Sequence, residues 1–197
     1  MRIVKIDPSK IDKNIIKQAA SIIERGGILV YPTDTCYGLG VNPKNEQAVA
    51  SLTKLKGRDE TKKFSLIVSD FWMVKQICQV DKRQESVLKK YLPGPFTFVL
   101  EMKSGQGTIG VRIPDYSLTK ILSKEIRIPY TTTSANLSGK KECYDMPCVV
   151  AEFLNQNIQP DLILDAGKLP KNPPSTVVDL SSWPPKILRK GSGNFSI

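Results

Sequence analysis

Apolar residues along this chain recur at two spacings, one typical of helices and one typical of strands, and segments of the two kinds alternate along the sequence. Between Ile11 and Ile22 they return every three or four positions, which predicts an amphipathic helix that ends at Gly26 and Gly27. Residues 28–31 then form a short continuous apolar run, which is typical of a buried strand. The alternation between helix spacing and strand spacing continues through the rest of the sequence.

A second helix is predicted to begin after Asn45, whose side chain can cap it. The periodicity predicts further helices at 71–77, 85–91, 118–122 and 149–155, and strands at 65–69, 96–102, 108–113, 130–133, 162–165, 176–180 and 186–188. Because helices interleave with strands, we expect one layered α/β domain that spans residues 1–197. Several strands follow one another with no helix between them, so the sheet should be twisted and mixed, with helices on its faces.

The apolar share of 40% is ordinary for a globular protein, and 197 residues suffice for one domain with a proper core. No run approaches the ~18 apolar residues that cross a bilayer. Residues 1–12 lack the apolar core of a secretory signal. We therefore expect a cytoplasmic protein that has no membrane partner.

The four cysteines, Cys36, Cys78, Cys143 and Cys148, include no Cys-x-x-Cys pair. In a cytoplasmic protein they are expected to be reduced thiols, and no metal site is predicted from them. The chain has no histidine, so hydrolysis by a Ser-His-Asp or Cys-His arrangement is excluded. An enzyme with this sequence should work by positioning its substrates and by stabilising charge.

The charge balance favours polyanionic partners. Lys and Arg number 29 against 19 Asp and Glu, which gives a net charge of +10 and an isoelectric point near 9.4. Such a surplus suits nucleotides, RNA or acidic surfaces. The basic residues are spread along the chain rather than gathered in one arm, so a generally basic surface that keeps the protein soluble remains the alternative.

Polar residues interrupt the pattern at four places where a predicted strand ends. These are residues 32–35, residues 56–58 together with Lys62, Arg112, and residues 131–136. Loops beyond strand ends are where α/β sheets collect their ligands. We therefore expect a lysine- and arginine-lined hollow that holds a nucleoside triphosphate and a small carboxylate-bearing substrate.

Two of these segments also have simpler interpretations. Lys56 and Arg58 flank a glycine near the end of a helix, where cations complement the helix dipole. With Lys62 and Lys63, however, they place four cations within eight positions, and each charge-assisted hydrogen bond to a phosphate contributes ~1.5–3 kcal/mol. Residues 134–136 precede a glycine and could form a turn rather than a ligand site.

Taken together, these segments resemble the YrdC-like family of threonylcarbamoyladenylate synthases. The stretch Tyr-Pro-Thr-Asp-Thr-Cys-Tyr-Gly-Leu-Gly at 31–40 is similar to the opening signature of the family, and Lys56-x-Arg58 and Ser134-x-Asn136 match its two best-known site motifs. Four further motifs follow in the order of the family, at residues 93–95, 110–114, 175–179 and 187–191. The similarity runs from about Gly26 to Gly191, which is nearly the whole chain.

The resemblance implies a fold, a reaction and partners. It implies one YrdC-like domain with a basic concave face, which condenses L-threonine, bicarbonate or CO2, and ATP into threonylcarbamoyl-AMP and pyrophosphate. Threonine's amine would capture the CO2 unit, and the carbamate oxygen would attack the α-phosphate. Mg²⁺ would accompany ATP, and a downstream tRNA-modifying threonylcarbamoyl transferase would receive the product. Binding of tRNA or double-stranded RNA is a further possibility that the resemblance brings.

The resemblance also implies roles for individual residues. It makes four residues the catalytic set, namely Lys56, Arg58, Ser134 and Asn136. It assigns nucleotide contacts to Arg58, Lys62, Thr108, Ser134 and Arg189. It assigns contacts with the threonine substrate to Thr35, Arg112, Thr132 and Ser175, with Arg112 holding the carboxylate.

One loop departs from the family pattern. Residues 59–65 read Asp-Glu-Thr-Lys-Lys-Phe-Ser, about two residues longer than the usual version, and they are similar to the paralogous YciO-like branch. This length bears on the assignment of Lys62 and on the shape of the threonine pocket. The alternative is therefore a YciO-like protein that binds RNA or nucleotide on the same fold without synthase activity.

Overall fold

A ten-stranded mixed β-sheet organises the chain in the computed structural model, which describes residues 1–196. The strands are β1 (Arg2–Lys5), β2 (Leu29–Pro32), β3 (Tyr37–Gly40), β4 (Ser65–Ile67), β5 (Phe96–Glu101), β6 (Thr108–Arg112), β7 (Tyr130–Ser134), β8 (Leu162–Asp165), β9 (Thr176–Asp179) and β10 (Lys186–Arg189). The helices are α1 (Lys13–Glu24), α2 (Glu46–Lys56), α3 (Phe71–Ile77), α4 (Lys82–Tyr91), α5 (Ser117–Ile126) and α6 (Met146–Phe153). The α/β class predicted from the sequence is confirmed.

The strand order across the sheet is β1-β8-β2-β3-β7-β4-β6-β5-β9-β10. The pairs β1–β8, β2–β8, β4–β6 and β5–β9 are parallel, and the remaining five neighbours are antiparallel. The mixed sheet follows from the connections in the sequence. Tight turns join β2 to β3 and β5 to β6, which allows only antiparallel pairing, whereas longer connections return strands in parallel.

Short polar side chains fix where most of the helices begin. The predicted cap at Asn45 is confirmed, because its Oδ1 accepts a hydrogen bond from the Ala48 backbone N–H at 3.0 Å. Aspartates cap four other helices in the same way, at Asp12, Asp70, Asp81 and Asp145. Within residues 1–196 no helix is both long enough and apolar enough to cross a membrane.

The two faces of the sheet are covered differently. On one face, α2 and α6 pack against one half of the sheet, and α3 and α4 pack against the other half. On the opposite face, α1 and α5 pack over Tyr31, Ile67 and Tyr130. Ser65 lies two residues before Ile67 on β4 and therefore points to the same face as Ile67. Neither α1 nor α5 covers this part of the face around Ser65, where the sheet bears small and polar residues.

Two strands were not predicted from the sequence. Residues 2–5 form the edge strand β1, whose side chains are mostly exposed and show little apolar alternation. Strand β3 contains Gly38 and Gly40, and glycine is uncommon inside strands. A Cβ at Gly40 would lie 2.6 Å from the Thr131 carbonyl oxygen, so the neighbouring backbone comes too close for any side chain.

The prediction that all four cysteines are reduced thiols is wrong for two of them. Cys143 and Cys148 form a disulfide, with their Cα atoms 5.4 Å apart, while Cys36 and Cys78 are free and buried. Cys143 lies just before α6 and Cys148 lies in its first turn, so the helix start brings the two together. A search restricted to Cys-x-x-Cys spacing misses this pair, which is five positions apart.

We predict that protein denatured without reductant exposes two titratable thiols, and that reduction raises the number to four. Thiol labelling followed by mass spectrometry of proteolytic fragments would locate the labels on Cys36 and Cys78. Four labelled thiols before reduction, in protein purified with an alkylating agent present, would contradict the disulfide.

Candidate active site

A hollow of about 700 Å³ opens on the face of the sheet that α1 and α5 leave uncovered. Its floor follows the neighbouring strands β3, β7, β4, β6, β5 and β9, from which Gly38, Thr132, Ser134, Ser65, Arg112, Thr97 and Val177 line it. Most of these side chains are small and polar. A Cβ at Gly110 of β6 would lie 2.5 Å from the Ser65 Oγ and collide with it. Glycine at this position therefore leaves this part of the floor free of side-chain atoms.

Positive charge dominates the lining. Six cationic side chains line the hollow, namely Lys56, Arg58, Lys62, Arg112, Lys140 and Arg189, against two acidic ones, Asp59 and Glu142. Like charges gathered in a concave site raise the local potential and attract anions. The hollow is therefore suited to a ligand that carries several negative charges.

Lys56 joins two elements of the site through its buried ammonium group. It is the last residue of α2 and is 3% exposed. Its Nζ donates to the Ser134 carbonyl at 2.7 Å, to the Asn136 carbonyl, and to the Asn136 Oδ1 at 3.2 Å. Burial, together with the nearby charge of Arg58, lowers the pKa of Lys56 to about 8. At neutral pH the amine is still mainly charged, and all three of its N–H donors are used.

The oxygen and the nitrogen of the Asn136 side-chain amide are both hydrogen-bonded within the protein. Its Oδ1 accepts from Lys56, and its Nδ2 donates to the Lys140 carbonyl at 2.6 Å. The side chain is 4% exposed and lines the hollow. The turn at residues 134–136 is thus both a turn and part of the site, which unites the two interpretations that the sequence left open.

Arg58 shapes the loop that follows α2. Gly57 ends the helix in the left-handed conformation, with φ of 58°. The Arg58 guanidinium then lies 4.9 Å from the centre of the Phe64 ring and donates to the carbonyls of Lys62 and Lys63, both at 3.2 Å. Lys62 lines the hollow with an exposed side chain. Arg58 therefore holds the longer loop in place while its cationic group faces the hollow.

Arg112 is held at the end of β6 by the turn between β2 and β3. Its Nη2 donates to the Asp34 carboxylate and, at 3.0 Å, to the Thr35 Oγ1. The Asp34 Oδ2 in turn accepts from the Asp115 backbone N–H at 3.1 Å. Arg112 is 7% exposed, and its Nε is buried with no partner among residues 1–196. A buried N–H without an acceptor is costly, so the fold holds this guanidinium in place at the expense of some stability.

Ser175 and Arg189 form the opposite wall. The Ser175 Oγ lies 2.8 Å from the Thr97 Oγ1, and the Arg189 Nη2 donates to the Ser175 carbonyl at 2.8 Å. The Gly191 backbone N–H donates to the Thr176 Oγ1 at 3.0 Å, directly after β10. These contacts fold the C-terminal strand back over β9 and bring the guanidinium of Arg189 to the hollow.

The structure brings together ten of the eleven residues that the resemblance implied. The exception is Thr108, which does not line the hollow. It lies at the start of β6, opposite Glu101, and is exposed, whereas Arg112 lies at the end of the strand. Four residues of strand separate their Cα atoms by ~13 Å. Thr108 shares the face of Arg112 by alternation but does not line the hollow, so its assignment to the nucleotide stays a prediction without support from the lining.

Several lining residues were missed from the sequence. Thr97 could have been found by alternation, because Phe96 and Phe98 pack against α4 on the other face of β5 and so turn Thr97 towards the hollow. Ser65 follows in the same way from Leu66. Glu142 lies in an irregular segment without periodicity, and no sequence signal could have placed it.

The lining contains few donors for a metal ion. Among residues 1–196 no group of three His, Cys, Asp or Glu side chains is arranged to hold one. Mg²⁺ is usually bound by one or two carboxylates together with substrate phosphates and water. The two lining carboxylates and the room for phosphates fit that mode of binding, in which the ion enters with its ligand.

The family model, the related sequences and the related structures all point to the same family. Residues 21–191 match the family model Sua5_yciO_yrdC, described as telomere recombination. A putative threonylcarbamoyl-AMP synthase from Methanocaldococcus jannaschii is 32% identical over 186 residues, which is 91% of this chain and 86% of the relative.

Two solved structures share the fold closely. Sua5 from Pyrococcus abyssi, complexed with L-threonine, has a TM-score of 0.89 at 30% identity, covering 97% of this chain. The chain spans only 58% of that protein. YciO from Escherichia coli has a TM-score of 0.88 at 27% identity, covering 98% of both chains.

We predict that Lys56→Met lowers the free energy of unfolding by roughly 2 kcal/mol, because it leaves buried carbonyl and amide oxygens without their donor. Urea denaturation followed by circular dichroism would measure the change. Lys62→Met is the matched control at an exposed lysine of the same hollow, and it should change stability by less than about 0.5 kcal/mol. Equal effects of the two substitutions would contradict the joining role of Lys56.

Proposed function

The chain belongs to the Sua5, YciO and YrdC family, and from that premise we propose that it is a threonylcarbamoyl-AMP synthase. It would condense L-threonine, bicarbonate or CO2, and ATP into threonylcarbamoyl-AMP, with release of pyrophosphate. The observation that carries the proposal is the convergence of six cations with Thr35, Ser134 and Ser175 on one hollow. The name of the Methanocaldococcus jannaschii relative and the L-threonine in Pyrococcus abyssi Sua5 support it.

The cationic lining suits attack on a triphosphate. In this reaction the carbamate formed from threonine is itself the nucleophile, and its oxygen bonds to the α-phosphorus as pyrophosphate leaves. The protein therefore has to align the reactants and stabilise the charge on the phosphoryl oxygens, for which no imidazole is needed. Arg58, Lys62 and Arg189 line the hollow and keep part or all of their side chains exposed, so they present the required cations.

Arg112 is the proposed contact for the carboxylate of threonine. Asp34 and Thr35 fix its guanidinium through Nη2, and the residue lines the hollow. An arginine held in this way presents a planar donor set that a lysine cannot reproduce. Thr35, Thr132 and Ser175 would surround the rest of the amino acid with hydroxyl groups.

Mg²⁺ would enter as the counter-ion of ATP and neutralise part of the phosphate charge. The protein's own share in holding the triphosphate falls to the cationic side chains and to the hydroxyl of Ser134. We place the reaction in the cytoplasm, where ATP and tRNA are found. A tRNA-modifying threonylcarbamoyl transferase would then receive the adenylate.

A second candidate function is nucleotide or RNA binding without synthesis. The observation that favours it is the loop at residues 59–63, which Arg58 and a hydrogen bond from the Lys63 Nζ to the Gln106 carbonyl hold at the rim of the hollow. The close likeness to Escherichia coli YciO, an uncharacterized protein, points in the same direction.

We predict that the protein releases pyrophosphate from ATP when L-threonine, bicarbonate and Mg²⁺ are all present. Arg58→Ala should lower kcat/KM about 10- to 100-fold, because one or two charge-assisted hydrogen bonds to phosphate are lost. A coupled pyrophosphate assay with mass spectrometry of the adenylate would measure both. Arg127→Ala, at an exposed arginine outside the hollow, is the control and should keep wild-type rates. Pyrophosphate release that does not depend on threonine would contradict the proposal.

The binding function makes a different prediction. Protein without turnover should then bind tRNA or double-stranded RNA with an affinity that falls steeply as salt rises, because phosphate contacts release counter-ions. Fluorescence anisotropy at several salt concentrations would measure the slope. Ser134→Ala should leave that affinity unchanged, since a polyanion would contact the exposed cations rather than the floor. Threonine-dependent turnover together with weak RNA binding would reject this second candidate.

A further inference from the structure

Glu142 is a carboxylate in a hollow that is otherwise built for anions. It lines the hollow together with Cys36, Lys56 and Arg189, and its negative charge opposes the lowering effect of burial on the pKa of Lys56 and of Arg189. Yet none of residues 1–196 forms an ion pair or a hydrogen bond with its side chain. The neighbouring charged groups are paired elsewhere, Lys140 with Glu152 and Arg112 with Asp34.

The backbone that carries Glu142 is firmly placed. The Cys143 carbonyl accepts from the Tyr37 N–H at 3.0 Å, and the disulfide ties Cys143 to α6. On the other side, Glu152 of α6 accepts from the Leu137 N–H at 2.7 Å and pairs with Lys140 at 3.1 Å. Such anchoring on both sides would be needed to hold an unpaired carboxylate at one position in the hollow.

The position of Glu142 relative to Arg112 suits an amino acid. Arg112 contacts the Thr35 Oγ1 at 3.0 Å, and the hydrogen bond from the Tyr37 N–H to the Cys143 carbonyl sets the backbone of Glu142 next to that of Cys36. Consecutive Cα atoms are ~3.8 Å apart, so a cationic and an anionic side chain approach the same short stretch of the lining. An α-amino acid carries a carboxylate and an ammonium group on one carbon, and it presents complementary charges to this pair.

We propose that Glu142 binds the ammonium group of the amino-acid substrate and thereby selects molecules with a free α-amine. This inference rests on the proposed function and adds the residue that distinguishes threonine from a 2-hydroxy acid of the same shape. The ammonium donates a charge-assisted hydrogen bond to the Glu142 carboxylate while Arg112 holds the substrate carboxylate. Recognition of the ammonium places its nitrogen inside the hollow, where it loses a proton to water before its lone pair bonds to the carbon of CO2 and a second proton leaves with formation of the carbamate.

The test is calorimetric titration with L-threonine and with (2S,3R)-2,3-dihydroxybutanoate, in which a hydroxyl replaces the amine. Titrations are run with and without a non-hydrolysable ATP analogue. The wild-type protein should bind threonine at least about 10-fold more tightly than the dihydroxy acid, and Glu142→Gln should abolish that preference by weakening threonine alone. Glu142→Asp should restore part of it. Glu60→Gln, at an exposed glutamate that does not line the hollow, is the control and should change threonine affinity less than about twofold.

The possible results separate this inference from the proposed function. Wild-type protein that binds no threonine would overturn both. Threonine binding that Glu142→Gln leaves unchanged would overturn the inference alone. So would a loss that is equal for threonine and the dihydroxy acid, since that indicates a general effect of charge or folding. A shift in Mg²⁺ dependence at constant threonine affinity would assign Glu142 to the metal ion and also overturn the inference.

Discussion

The site depends on one buried ammonium group. Lys56 ends α2, and its Nζ donates to two backbone carbonyls and one side-chain amide of the turn at residues 134–136. These partners lie about eighty positions further along the chain. Burying a charge without partners is prohibitive, whereas one that satisfies three acceptors fixes the relative position of two elements. The catalytic role that the resemblance implies for Lys56 stays a prediction; in the structure its three donors are all engaged by the protein, and they position Ser134 and Asn136.

Local hydrogen bonds, an ion pair and an aromatic contact keep the cations of the hollow in place without a ligand. Six positive side chains in one concavity repel one another, and the fold offsets that repulsion with contacts that are local to each cation. Arg58 stacks on Phe64, Arg112 pairs with Asp34, and Arg189 donates to the Ser175 carbonyl. Arg58, Arg112 and Arg189 are therefore positioned before a ligand arrives. A polyanion then meets donors whose conformational entropy has already been lost, which favours binding and charge stabilisation.

The sequence predicted the elements well because apolar periodicity reports burial directly, as at residues 71–77, where prediction and structure coincide. It failed where a residue is placed by tertiary contact. Gly40 of β3 is needed because the Thr131 carbonyl comes close, and the pairing of Cys143 with Cys148 depends on where α6 begins. Thr108 shows the limit for the site itself, since alternation gives the face of a strand but not which end reaches the hollow. Glu142, in an irregular segment, had no pattern at all.

A synthase and a nucleotide- or RNA-binding protein of this family would share the cationic hollow. They differ in the ligands that the hollow must bind at the same time. Both branches of the family share the fold, and a triphosphate needs only the cationic lining. Synthesis also requires a place for a small zwitterion next to the α-phosphate, and this needs opposite charges a few ångströms apart. Arg112 and Glu142 both line the hollow and are connected to residues 35–37 by hydrogen bonds of Arg112 and of Cys143, so they offer these charges. A general polyanion-binding surface would gain nothing from a carboxylate in that position, since it would repel each phosphate that approached. The presence of Glu142 inside the basic hollow therefore favours a small amino-acid substrate over RNA as the ligand of this site.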